Sequence, residues 1–185
     1  MKLNMGCGLN KAEGYVNVDM FPEGEPDVLW DLEKTPWPWG DNSVDEVVFN
    51  HSLEHIGAES RVFLSMMKEL YRVCRGGARI QINVPHPRSD DFIGDPTHVR
   101  AISPHMLCLF SRKANLEWQA QGAANSPLAL YLNVDFEVAN ATYMLEEPYA
   151  TLFQNGKLSE DELNTAVKER NNIVKEVRIT LDVVK

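Results

Sequence analysis

The chain enters its first turn as Leu3-Asn4-Met5-Gly6-Cys7-Gly8 and soon resumes an extended pattern, Tyr15-Val16-Asn17-Val18, that closes on Asp19. This pair of segments constrains the fold more than any other. Glycines after a strand let the backbone bend sharply and approach a ligand closely, because no side chain intervenes. An acidic residue closing the next strand can accept hydrogen bonds from ribose hydroxyls. Together they point to an adenosine-containing cofactor across the ends of two adjacent parallel strands. The spacing is only Gly-x-Gly, since Lys11 stands where a dinucleotide site has its third glycine, so a plain glycine-rich turn is the alternative reading. The same substitution speaks against a nicotinamide cofactor. Parallel strands ordinarily need roughly a dozen connecting residues or more. Leu9–Gly14 leaves room for one helical turn at most.

Further strands are expected at Asp27–Trp30 and Val44–Phe49, β-rich runs bounded by turn residues. Prolines exclude regular structure from Pro36–Trp39; its tryptophans read as packing over a sheet edge, with substrate stacking the alternative. Phe63, Met66, Met67, Leu70, Val73 and Cys74 recur at helical spacing within Arg61–Cys74. Gly76-Gly77 is expected to end that helix, with Arg72 and Arg75 at the negative end of its dipole. Ala78–Val84 reads as a fifth strand, stopped by Pro85-His86-Pro87. Asp90–Arg100 reads as a polar loop. Ser103-Pro104 then opens a helix that buries Met106, Leu107, Leu109 and Phe110. Asn115–Pro127 carries no assignable pattern. Leu130–Met144 alternates as a long strand with one solvated face. Ser159-Glu160-Asp161-Glu162 is a capping box for a helix reaching Asn171, and Val177–Val183 is a final strand. This succession gives an α/β fold with a mainly parallel sheet, in one domain spanning residues 1–185.

Composition narrows the function classes. Apolar content of 44% is ordinary for a soluble globular chain. The net charge of −9 argues against affinity for phosphate backbones, so no nucleic-acid partner is expected. No apolar run approaches a membrane span, and Met1-Lys2-Leu3-Asn4 lacks the start of a secretory signal, so no membrane association is expected. Cys7, Cys74 and Cys108 are odd in number and form no C-x-x-C. That usage fits a reducing cytoplasm better than disulfides or zinc.

In this order the segments resemble a class I S-adenosylmethionine-dependent methyltransferase, similar to the type 11 small-molecule branch. The resemblance rests on Leu3–Gly8, Asp19, Asp31-Leu32, Asp45–Asn50, Leu53-Glu54-His55 and Leu70–Gly77, and covers roughly residues 2–110. Leu70–Gly77 matches the family's "leucine, x, Arg-Val-Leu, x, Pro-Gly-Gly" pattern, with Cys74 for leucine and Arg75 directly before Gly76. The later segments fit the family's closing antiparallel strand pair by pattern. The implied fold is Rossmann-like, with the first crossover helix reduced or absent. The implied cofactor is S-adenosylmethionine. Gly6, Cys7 and Gly8 would seat its methionine end and Asp19 would bind both ribose hydroxyls. Met20 would pack beneath the adenine, and Asp31 and Leu32 would meet its edge. Asn50 and His51 would border the sulfonium and the substrate mouth.

Methyl transfer is an in-line displacement, and a base is needed only when the acceptor must lose a proton. His51, Glu54, His55, His86, Asp95 and His98 follow the fourth and fifth strands, where open α/β sheets bind ligands. Of these, His51, Asp95 and His98 are the candidate catalytic residues; the alternative for Asp95 and His98 is that they brace their own loop. His51-Ser52-Leu53-Glu54-His55 spells the H-x-x-E-H zinc pattern, but it leaves a strand directly and meets Gly57, so no metal is expected. Asn50-His51-Ser52 is not the Asn-Pro-Pro-Tyr of enzymes that methylate amino groups in nucleic acids. The expected function is methylation of a small molecule, such as a hydroxyl of a sugar or metabolite. A non-catalytic binding module or an assembly subunit is the alternative, favoured by the short Leu9–Gly14 connection. Leu130–Met144 and Val177–Val183 offer edges for a homodimer.

Overall fold

A computed structural model describes all 185 residues. The strands are β1 (Lys2–Met5), β2 (Val16–Asp19), β3 (Val28–Leu29), β4 (Val44–Asn50), β5 (Cys74–Pro85), β6 (Phe136–Leu145) and β7 (Val174–Val183). They form one seven-stranded sheet in the order β3-β2-β1-β4-β5-β7-β6. The first five pair in parallel, and β7 runs antiparallel to both β5 and β6. The α/β, Rossmann-like reading with an antiparallel closing pair therefore holds. Of the two strands offered as edges, β7 is interior; only β6 has a free flank.

Near the middle of the sheet Leu3 lies beside Val16 and Val47, and Val47 beside Ile80. Leu3, Met5, Val47, Phe49, Ile80 and Ile82 are essentially inaccessible. The principal helix, α1 (Ser60–Val73), buries Phe63, Met66, Met67, Leu70 and Val73, the stripe its spacing predicts. It stops differently from expectation. Cys74 is already extended, and its N–H closes the last turn on the Leu70 carbonyl. The Gly76-Gly77 pair lies inside β5 instead. There the register jumps between the Val44–Cys74 and Glu46–Arg79 pairs, and Gly77 takes φ +77°. Arg72 does not cap its own helix either. It grips Glu69 through two hydrogen bonds of 2.9 and 2.7 Å and donates to the Trp37 and Trp39 carbonyls. Arg75 pairs with Asp45 at 2.8 Å. Trp37 and Trp39 are buried, edge to face at 6.0 Å, so they pack rather than await a substrate.

Other departures follow from short elements. The expected polar loop contains α2 (Asp90–Ile93), capped by Ser89. Ser103 and Pro104 do start α3 (Pro104–Leu107), which tightens into a 3-10 turn over Cys108–Phe110. The unassigned region begins within α4 (Arg112–Ala120). The start of the expected long strand is helical, as α5 (Leu128–Leu132); Asn133 at φ +56° ends it before β6 begins. Beyond β6 lies a further short helix, α6 (Tyr149–Gln154), too brief to show a helical stripe in the sequence. In α7 (Glu160–Glu169) the capping box is complete: Ser159 Oγ accepts the Glu162 N–H, and the Glu162 side chain accepts the Ser159 N–H. No helix is long and apolar enough to cross a membrane.

No crossover helix joins β1 to β2. Asn4 and Asn17 lie side by side on adjacent strands, both nearly inaccessible, and the Asn4 Nδ2 donates to Asn17 Oδ1 at 2.9 Å. Asn17 Oδ1 also accepts the Ala12 N–H at 2.7 Å, and Asp27 accepts both Asn17 N–H groups at 2.8 Å. Amides thus tie the connecting loop to the sheet where an apolar helix would otherwise pack. Asn17→Leu should strand these partners and cost about 2–3 kcal/mol, measured as the shift in urea-unfolding midpoint at constant slope.

Candidate active site

The site is built at the carboxyl ends of the parallel strands. Gly6 leaves β1 at φ +70°, with the Gly6 and Cys7 N–H groups donating to the Val18 carbonyl at 2.8 and 3.0 Å. A Cβ on Gly6 would fall 2.5 Å from the Cβ of Ser52, whose hydroxyl donates to the Met5 carbonyl at 2.7 Å. A side chain at Gly6 is therefore excluded by both backbone angle and space. Gly8, at φ +51°, is different: an added Cβ there meets nothing within 4 Å. Asp19 locks the turn. Its Oδ2 accepts the Gly8 N–H at 2.8 Å, and its Oδ1 accepts the Phe21 N–H at 2.9 Å. Each oxygen keeps a lone pair for a further donor.

A hollow of about 400 Å³ opens there. Of the nine residues expected to bind a cofactor, Gly6, Gly8, Asp19, Met20, Asp31, Leu32 and His51 line it; Cys7 and Asn50 do not. Cys7 is buried, which pushes its thiol pKa up. Asn50 is exposed and accepts a hydrogen bond from Asn83. Asp31 accepts the Glu33 N–H at 3.0 Å and sits 3.4 Å from Lys34. The wall also includes Phe21, Trp30, Ser52, His55 and Ile56, which sequence reasoning did not assign to the cofactor. Phe21 directly follows Asp19 and Met20, and Trp30 precedes Asp31; adjacency to the two acids was the available signal.

Among the candidate catalytic residues, only His51 lines the hollow. It directly follows β4 at φ +51°, a strained angle for a residue with a side chain. Its Nε2 lies 2.8 Å from Glu176 Oε2 on β7. Burial pushes the Glu176 carboxyl up, but hydrogen bonds from Arg178 and His51 outweigh it and hold the net value low. Asp95 and His98 stand one layer back. The Thr97 hydroxyl and N–H hold the Asp95 carboxyl below its usual range. His98 stacks on Phe92 and donates from Nδ1 to the Phe92 carbonyl at 2.9 Å. Its ring is 4.5 Å from that of His55, which does line the hollow. His86 is lowered in pKa by burial and by Arg88, and takes no part in this wall.

The strand order and the glycine turn beneath an acid-lined hollow define the class I S-adenosylmethionine-dependent methyltransferase fold. Solved structures agree. The chain superposes over 98% of its length on a SAM-dependent methyltransferase from Archaeoglobus fulgidus, covering 85% of that chain at 20% identity and a TM-score of 0.65. It also superposes on the [4+2]-cyclase SpnF, over 99% of this chain and 75% of that one, at 16% identity and a TM-score of 0.55. A third is phosphoethanolamine N-methyltransferase 2 of Haemonchus contortus, solved with S-adenosyl-L-methionine. All of this chain aligns with 48% of that one, at 13% identity and a TM-score of 0.52. These likenesses are of fold. No protein-family model matches the sequence, and no curated protein matches it.

Gly6→Ala should lower stability by about 2 kcal/mol or more, from strain and overpacking together. Adding Ser52→Gly should recover the steric part and Ser52→Ala should not, because the clash is with the serine Cβ. Thermal unfolding of the single and double variants measures both.

Proposed function

We propose that this chain is an S-adenosylmethionine-dependent methyltransferase acting on a hydroxyl group of a small molecule. One observation carries the reading: the glycine turn and the carboxylates of Asp19 and Asp31 converge on one open hollow, which no side chain of the protein fills. Its volume lies within the roughly 300–1,000 Å³ usual for small-molecule sites. The residues suit the cofactor. The open space over Gly8 accommodates a ligand against bare backbone, and Met20 and Phe21 offer half-exposed apolar surface beside it for an adenine. Asp19 would hold the ribose hydroxyls, Asp31 the adenine edge, and the turn from Gly6 to Gly8 the methionine end. When bound, S-adenosylmethionine supplies a methyl group on a cationic sulfur.

The chain's own part in the chemistry is to position and to accept a proton. His51 stands at the hollow's wall with Glu176 fixing its Nε2. With Nε2 held by Glu176, Nδ1 is the nitrogen left to His51 to take the proton that a hydroxyl acceptor must lose. Holding acceptor and methyl donor in line is the larger contribution, because positioning replaces a chance encounter.

A non-catalytic binding module is the second reading. The missing crossover helix favours it, since Leu9 stands exposed where a covering element would lie. Calorimetry followed by a turnover assay over hydroxyl-bearing metabolites separates the two. S-Adenosylhomocysteine should bind and NAD should not. Asp31→Ala should weaken S-adenosylhomocysteine binding about tenfold or more, as expected for loss of a charge-assisted hydrogen bond, with little change in melting temperature. His51→Asn should retain that affinity and lose turnover; a chain that binds but turns over no acceptor supports the second reading.

A further inference from the structure

We propose that Glu54, His55 and His98 form a binding site for one divalent first-row transition-metal ion beside the acceptor end of the hollow. In sequence the H-x-x-E-H pattern pairs His51 with His55. The fold separates them: Leu53–His55 is a single 3-10 turn, His51 reaches Glu176, and His55 meets His98 from the segment after α2. One ligand atom from each of Glu54, His55 and His98 lies within 4.8 Å of the others. The ligands of a tetrahedral ion with bonds near 2.1 Å lie about 3.4 Å apart, a contraction that ring rotation and a carboxylate turn can supply. Main-chain bonds already clamp the two segments, as the Glu54 carbonyl accepts the Val99 and Arg100 N–H groups at 2.9 and 3.1 Å.

The independent observation is Glu54 itself. It is 1% exposed, and neither carboxylate oxygen has a hydrogen-bond partner. Its nearest basic neighbour, His51 Nδ1, stands 3.7 Å away, beyond hydrogen-bond length. Arg100, close in the chain fold, turns away to the Gly57 carbonyl and the Phe63 ring. A buried carboxylate without partners is costly unless something pairs with it. Both imidazoles are also set for coordination. His98 Nδ1 faces a carbonyl, so it must carry the proton. His55 Nδ1 lies 2.9 Å from Thr97 Oγ1, whose own hydrogen goes to Asp95 at 2.6 Å, so His55 also donates from Nδ1. In each ring Nε2 keeps the lone pair, the arrangement that outer hydrogen bonds impose on metal-binding histidines. Two imidazoles and one carboxylate suit zinc, iron, cobalt or manganese rather than magnesium or calcium.

His55 is both ligand and wall of the hollow. In a hydroxyl-methylating enzyme the ion would make a bound hydroxyl more acidic. This role rests on the function proposed above; ion binding does not.

The test uses the chelator-treated full chain, Co²⁺ absorption in the visible range, and calorimetry with Zn²⁺ and Mg²⁺. One Co²⁺ or Zn²⁺ per chain is expected, and no Mg²⁺. Glu54→Gln and His98→Ala should each weaken binding about tenfold or more, while His105→Ala, on α3, should not. Circular dichroism melts confirm that each variant is folded. Wild-type uptake no greater than that of Glu54→Gln would overturn the proposal and leave Glu54 a neutral buried acid, as would equal loss in His105→Ala. Failure of S-adenosylhomocysteine to bind, with Co²⁺ still taken up, would sink the methyltransferase reading and leave the ion site standing. Turnover indifferent to chelation would remove only the acceptor role.

Discussion

Asp19 accepts two backbone hydrogen bonds, one from the glycine turn after β1 and one from the residue that carries the chain away from β2. Its own carbonyl accepts the Trp30 N–H at 2.8 Å and so fixes the end of β3 as well. One residue therefore sets the relative positions of three strand ends. The glycines make the bend possible, but the carboxylate chooses which bend is adopted. Because each oxygen can accept more than one donor, the group that organises the turn can also face a ligand. The side chain that sets the turn also lines the hollow.

The second organising feature is a change of polarity on one sheet face. Leu3 and Met5 point into a dry core, while Asn4 between them points to a layer held by amide hydrogen bonds. The same alternation in β2 sets Asn17 against Val16 and Val18. A covering helix would have needed apolar side chains at these positions. The asparagines and the short connection are therefore two expressions of one design, a loop pinned by polar contacts in place of a packed helix.

Features carried by neighbouring residues were legible in the sequence. The glycine turn, the acid closing β2, the α1 stripe and the Ser159 capping box each depend on a few adjacent positions, and each stands where its pattern indicates. Errors arose where a local pattern had two solutions. Leu130 and Leu132 alternate like a strand, yet lie on one turn of helix ended by Asn133 in a left-handed conformation. Gly76-Gly77 looks like a helix stop, but α1 has already turned into β5 at Cys74, and the glycines take up the register jump. Associations across the chain were out of reach altogether. Nothing near His51 announces Glu176, and nothing near His55 announces His98; the sheet order and the α2 segment bring them together. That is why the hollow's floor was readable from β1 and β2, while the wall that carries His51 and His55 was not.

The free flank of β6 bears on how this molecule behaves at high concentration. Ten residues of unpaired strand would ordinarily template pairing with another chain. Two register shifts, at Val138/Asn140 and at Met144/Leu145, interrupt that ladder on its partnered side and bend the strand. The stretch between them carries small and polar residues at Ala139, Asn140 and Thr142. Breaks of this kind interrupt the flat, regular edge that strand-to-strand growth requires, so the border that closes the sheet is a poor template for a further strand.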